Sequence, residues 1–231
     1  MKRKYDLTDE TMDFCGITLH RIKASCDFND VKAGDLGGWL ESEDNLSHDG
    51  NAWVYNDALV FGNAKILGNA RVLGNARVYG NAWVHGNAWV HGNAEIYGDA
   101  QVYGYALVYG NAKVYGNALV YGDALVYGNA KVYGNAQVYG YAWVYGDAKV
   151  SMNAEVYGNA KVYGKARVGS NAWVYDDARI YGDALVYGDA WVYGNARIYG
   201  DAEVGGDARV YGDAEVSGTM FAKKNYDFAK K

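Results

Sequence analysis

From Asn51 to Val216 the apolar and polar positions recur every six residues, without insertion or deletion, in a unit that reads Gly-Asn/Asp-Ala-x-Val-Tyr. Alanine fills every sixth position from Ala52 to Ala214, 28 in succession, and Val or Ile follows two residues after each, from Val54 to Val216. Residues two apart on an extended strand share a face. Ala and Val therefore point one way, and x and Tyr the other. The x position identifies the outside: it holds Trp53, Leu59, Lys65, Arg71, Glu95 and Gln101, a mixture only a solvated face tolerates. The small and aliphatic positions never change polarity, which is the mark of an interior.

The remaining two positions are turns. Gly holds 24 of the 28 turn slots; Asn56, Met152, Ser170 and Asp176 are the exceptions. Gly and Asn/Asp accept positive φ at low cost. A short strand and a tight turn repeated without drift build a solenoid. The period leaves the number of sides open. Two sides would place sheets about 10 Å apart, a gap that Ala and Val fill poorly. Three sides give a triangular prism of about 18 residues per turn, with Ala by the corners and Val in the middle, and roughly nine turns spanning about 45 Å. The prism is the better reading.

The order Val-Tyr-Gly-Asn-Ala-x resembles the hexapeptide repeat of left-handed β-helix proteins. The segment GDLGGWLESEDNL, Gly34 to Leu46, is also similar to segments of bacterial and bacteriophage proteins described as hypothetical, polymer-forming or acyltransferase-like. The resemblance implies an all-β, single-stranded left-handed parallel β-helix, a bacterial or phage source and a cytoplasmic location. The left hand comes from the resemblance; periodicity is silent on it.

Both ends depart from the repeat. Residues 1–50 read as an N-terminal cap, 51–216 as the β-helix and 217–231 as a C-terminal cap. Ile17, Leu19, Arg21 and Ile22 lie in a strand-like run. Leu36, Trp39 and Leu40 are placed to cover the first turn, and Leu46 falls on the Ala slot one repeat early. Met220, Phe221, Tyr226 and Phe228 are expected to close the last turn. Covered ends suppress edge-to-edge assembly.

Composition follows from the repeat: 23 Tyr, 31 Gly and no Pro. A net charge of −5 argues against general nucleic-acid binding, which favours a basic domain. The two cysteines, Cys15 and Cys26, fit a reducing cytosol. The N-terminus shows no signal peptide, and no stretch approaches the roughly 20 apolar residues of a membrane span.

Enzymatic chemistry has little footing. Hexapeptide acyltransferases use a histidine near a subunit boundary and a loop that interrupts the coil. Here His85 and His91 sit in the Tyr slot on neighbouring outer sides, and no loop interrupts any coil. No catalytic residue, cofactor or metal ligand is assigned. Asp183 with Asp201, and Asp189 with Asp207, fall one turn apart, but turn propensity explains them. An acyltransferase remains the enzymatic alternative.

Reading every eighteenth x residue gives outer stripes. One holds Lys113, Lys131, Lys149 and Arg167 in succession, with Tyr115 and Tyr133 beside them, a pattern a polyanion or single-strand binder uses, although the negative net charge favours a plain solvated face whose lysine stems cover the tyrosine rings. Another runs Trp89, Leu107, Leu125, Trp143. Tyr109, Tyr127 and Tyr145 flank it, and Tyr105 and Tyr141 replace Asn/Asp beside it. An apolar patch of this size marks an interface. Its palindromic order suits an isologous two-fold contact, so a homodimer or other homo-oligomer is expected, with a further protein partner. The same tyrosines also fit a surface held by stacking within each side.

Overall fold

The computed structural model describes residues 3–217, together with the backbone of residues 221–222 and 227–228. The repeats wind into a parallel β-solenoid of three sides. Each strand pairs with those 18 residues before and after it: Trp89 with Arg71 and Leu107, Glu95 with Arg77 and Lys113, Gln101 with Trp83 and Leu119. Two sides carry ten strands each, and the third carries 13 because the cap adds to it. The prism, not the two-sided sandwich, is the architecture, with about ten turns.

A typical unit hands three amides to the next coil. Tyr105 N donates to Gly122 O at 2.7 Å, Leu107 N to Ala124 O at 2.9 Å and Tyr109 N to Val126 O at 3.0 Å. The same bonds recur up most of the solenoid wall and pair the strand backbone between coils, as burial requires. The Ala and Val/Ile columns between Ala52 and Val210 are 0 % exposed. The small alanines sit by the three corners and the larger Val and Ile fill the interior.

The turn slots explain the glycine column. All 28 adopt φ between +56° and +74°, including Asn56, Met152, Ser170 and Asp176. This is the left-handed region that glycine enters freely. Stacking sharpens the demand at Gly188, where an added Cβ would lie 2.6 Å from Gly206 N.

The N-terminal cap is a hairpin of β1 (Tyr5–Phe14) and β2 (Ile17–Ala24). Next, β3 (Leu36–Leu40) pairs antiparallel with β2 and parallel with the strand at Leu59. The first coil is two residues longer than the others: Trp39 pairs with Leu59, Leu40 with Val60 and Leu46 with Ile66, an offset of 20 on both sides of the 3-10 turn over Glu43–Asn45 that falls to 18 at Trp53 and Arg71, so the extra residues lie between Leu46 and Trp53. Leu46 therefore stands beneath the aliphatic column, not in the Ala slot that counting by six assigns it. Leu36 is 53 % exposed and does not cover the first turn, whereas Trp39 and Leu40 are buried. Trp53 and Leu59, in outward x positions, are also buried. Tyr5 and Phe28 close on Trp53 edge-on, and Leu19 and Trp39 cluster with Leu59.

The cap also supplies the donors that a preceding coil would have given. Asn45 Nδ2 donates to Gly62 O at 2.9 Å and Ala64 O at 3.0 Å, and Lys4 Nζ donates to Ala52 O at 2.9 Å. Both side chains are buried. Burial pushes the Lys4 ammonium down to about 8, against the opposing pull of Asp49 and Cys26. Of the expected C-terminal cap, Met220 and Tyr226 lie outside the described residues, and only the backbone of Phe221 and Phe228 is described.

Candidate functional site

Each side of the prism presents three outer columns: the Asn/Asp corner, the x column and the ring column. The ring columns form continuous ladders. One climbs from His91 through Tyr109, Tyr127 and Tyr145 to Tyr199. A second runs from Phe61 to Tyr133, and a third from His85 to Tyr211. Centroids along the His91 ladder lie 4.8–5.2 Å apart, one strand spacing, because in-register parallel pairing stacks identical side chains. Burial between neighbours raises the tyrosine pKa values, as at Tyr109, Tyr127 and Tyr145, and lowers those of His85 and His91.

The corner columns are amide ladders with a direction. Asn117 Nδ2 donates to Asn135, which donates to Asn153, then Asn171, then Asp189. The other runs behave alike: Asn81 ends on Asp99, Asn129 on Asp147, Asn195 on Asp213. A carboxylate accepts but cannot donate, so Asp stands at the last rung.

The corner beside the Trp89 column departs from the amide pattern twice. Tyr105 and Tyr141 project there, each 61 % exposed. Beside them the x column runs in register through Trp89, Leu107, Leu125 and Trp143. The two columns enclose an open groove of ≈ 690 Å³ lined by Asn87, Trp89, Tyr105, Leu107, Asp123, Leu125, Tyr141 and Trp143. A cation closes each end: Arg71 sits 5.0 Å over the Trp89 ring and Lys161 4.3 Å over the Trp143 ring. Arg71 is itself held by Asp30 of the cap at 2.9 Å. Tyr109, Tyr127 and Tyr145 lie on the same side but in the ring ladder, outside the groove lining. Asn87 and Asp123 were not singled out from sequence. Their signal was available, since each stands two residues before an x residue of the patch.

The cationic column is in register as expected, Lys113 beside Lys131, Lys149 and Arg167. Lys113 pairs with Glu95 at 3.0 Å. Lys131, Lys149 and Arg167 form no ion pair among the described residues. Asp147, Lys149, Lys165, Arg167, Asp183, Leu185, Asp201 and Glu203 line a charged groove of ≈ 520 Å³, in which Lys165 reaches Asp183 at 3.9 Å. His85 and His91 open their ladders, each stacked on the tyrosine of the next coil at 4.9 Å. Among the described residues no helix is long and apolar enough to cross a membrane.

A family model described as the YdcK beta solenoid repeat matches residues 76–92, 112–128, 130–146 and 178–194. Each match begins on an interior alanine and spans just under one coil. A 62-residue stretch is also 40 % identical to a protein of Escherichia coli (strain K12) named "Uncharacterized acetyltransferase YdcK". That stretch covers 23 % of this chain and 19 % of the relative, so the two share a fragment of their lengths. The matches agree with the six-residue solenoid read from the repeat.

Proposed function

We propose that this chain is a non-enzymatic solenoid scaffold that pairs with a second copy of itself through the Trp89–Trp143 groove. The observation that carries the proposal is the coincidence of two independent departures: tyrosine at corners 105 and 141, and an unbroken apolar x column beside them. A mate related by a two-fold axis parallel to the strands sets Leu107 against Leu125 and Trp89 against Trp143. The same operation brings Tyr105 to Asp123 and Tyr141 to Asn87, so each phenol meets an acceptor. At the ends, Lys161 of one copy approaches the Arg71–Asp30 pair of the other. The six strands from Arg71 to Lys161, spaced about 4.8 Å apart and roughly 15 Å wide, offer on the order of 430 Å² per partner, about half the ~800 Å² of a standard interface. The remaining aromatic surface would serve a protein partner. The bacterial or phage source, the cytoplasmic location and the left hand belong to this proposal through the resemblance. The free thiols of Cys15 and Cys26 are compatible with that location.

Native mass spectrometry tests it. The wild-type chain is expected at twice the 25.2 kDa of one copy, and the Leu107→Asp/Leu125→Asp double variant at one copy with an unchanged circular dichroism spectrum. A monomeric wild type, or a variant that stays dimeric, refutes the pairing. Acetyl transfer is the second reading, favoured by the relative's printed name. A thermal shift on adding acetyl-coenzyme A would support it against the scaffold.

A further inference from the structure

The second ring ladder stops early, and where it stops other rules of the repeat fail with it. After Tyr133 the next two ring positions are Ser151 and Gly169, and the ring returns only at Tyr187. The turn slots beside them hold Met152 and Ser170 in place of Gly, and the corner of the second coil holds Lys165 in place of Asn/Asp. These five departures fall on adjacent strands of one side. Tyr187 does not fill the gap. It lies over buried Gly205, where its ring leaves no room for a Cβ. The ladder is therefore open for two rungs, about 10 Å of axis.

We propose that this opening is a binding slot for a nucleoside monophosphate, a planar aromatic ring carrying an anion. The ring stacks on the uncovered face of Tyr133 and occupies the space above Ser151 and Gly169, continuing the spacing of 5.0 Å that Tyr115 and Tyr133 set. The phosphate meets Lys149 and Arg167, which stand two residues earlier on the same strands and face, about 7 Å away along the chain. Lys131, directly below Lys149, adds a third positive charge. Opposing charges border the site. They are Asp147, which accepts from Asn129 at 3.0 Å, Asp183, which faces Lys165 at 3.9 Å, and Asp201 and Glu203 farther along the same groove; Lys149 and Arg167 are the cations of that groove with no ion pair among the described residues, and the ones left for the phosphate. Ser151 Oγ would lie 3.2 Å from a Cβ at Gly169, and in the turn column beside it Ser170 Oγ donates to Met152 Sδ at 3.8 Å. Stacking of a base on an aromatic ring beside cations is the recurring chemistry of nucleotide recognition. The slot is on a different side from the Trp89–Trp143 groove and does not depend on pairing.

Isothermal titration with adenosine monophosphate tests it, using adenosine and inorganic phosphate as the two halves of the probe. The monophosphate is expected to bind at least ten-fold more tightly than either half. Lys149→Gln/Arg167→Gln should weaken binding ten-fold or more. Ser151→Tyr/Gly169→Tyr restores the repeat, and Gly169 is free of the positive φ that would resist it. This variant should lose binding while melting no lower than wild type. Leu107→Asp/Leu125→Asp should bind as wild type does. No binding of the monophosphate, equal binding of adenosine, or full binding by the ring-filled variant overturns the proposal.

Discussion

Replacing Gly188 by Ala measures what coil stacking adds to the turn requirement. Gly188 sits at φ +72°, where an L-residue costs roughly 1–2 kcal/mol. An added Cβ lies 2.6 Å from Gly206 N and 2.8 Å from its O, so the backbone of the next coil must move, and such overpacking costs about 1–3 kcal/mol. Loss of unfolded-chain entropy returns about 0.4–1 kcal/mol. The net expectation is a loss of roughly 2–4 kcal/mol, or on the order of 5–15 °C in melting temperature at about 2–4 °C per kcal/mol. Gly68 has nearly the same φ, +67°, but an added Cβ there meets Gly86 at 3.2 Å, so Gly68→Ala should lose only the conformational cost, roughly 1 kcal/mol. Met152→Gly runs in reverse: Met152 carries φ +59° and should gain roughly 0.5–1 kcal/mol when replaced. Thermal melting followed by circular dichroism reads all three. Hydrogen exchange at the Asp189 amide, which donates to Gly206 O at 2.9 Å, reads the local opening. Equal losses for Gly188→Ala and Gly68→Ala would refute the stacking argument, and a destabilised Met152→Gly would refute the strain argument.

Stability should pass through a maximum near pH 10. Lys4 titrates at about 8 in the fold against an ordinary 10.5, so between these values the unfolded chain binds more protons and stability rises with pH. Tyr79 and Tyr175 are pushed up to about 12 by burial, so above pH 10 the unfolded chain sheds protons first and stability falls. Urea melts from pH 7 to 11.5 check both limbs, and Lys4→Met should flatten the rising one. In the amide ladder Asn135→Asp keeps the bond from Asn117 but loses the one to Asn153 and sets two acceptors face to face, a cost of about 0.5–1.5 kcal/mol. Asp189→Asn at the ladder's end supplies a donor toward Asp207 and relieves a like-charge contact, so it should melt no lower than wild type.

The repeat by itself determined which residues face inward, where the chain turns and which residues share a stripe, because all three follow from local rules: strand alternation and the φ tolerance of glycine. It also determined the composition of the candidate groove, since Trp89, Leu107, Leu125 and Trp143 fall together once a coil of 18 residues is assumed. Only the tertiary structure decided that coil. Three sides rather than two depend on how Ala and Val meet across an axis, a contact between residues distant in sequence. It likewise decided that Trp53 and Leu59 are covered, and that Leu46 sits beneath Ile66, because the cap has no period and its first coil is 20 residues long. The deciding interactions there are single long-range ones, Asn45 to Gly62 and Lys4 to Ala52. A six-residue pattern carries no trace of them, since they replace hydrogen bonds that every other coil receives from its neighbour.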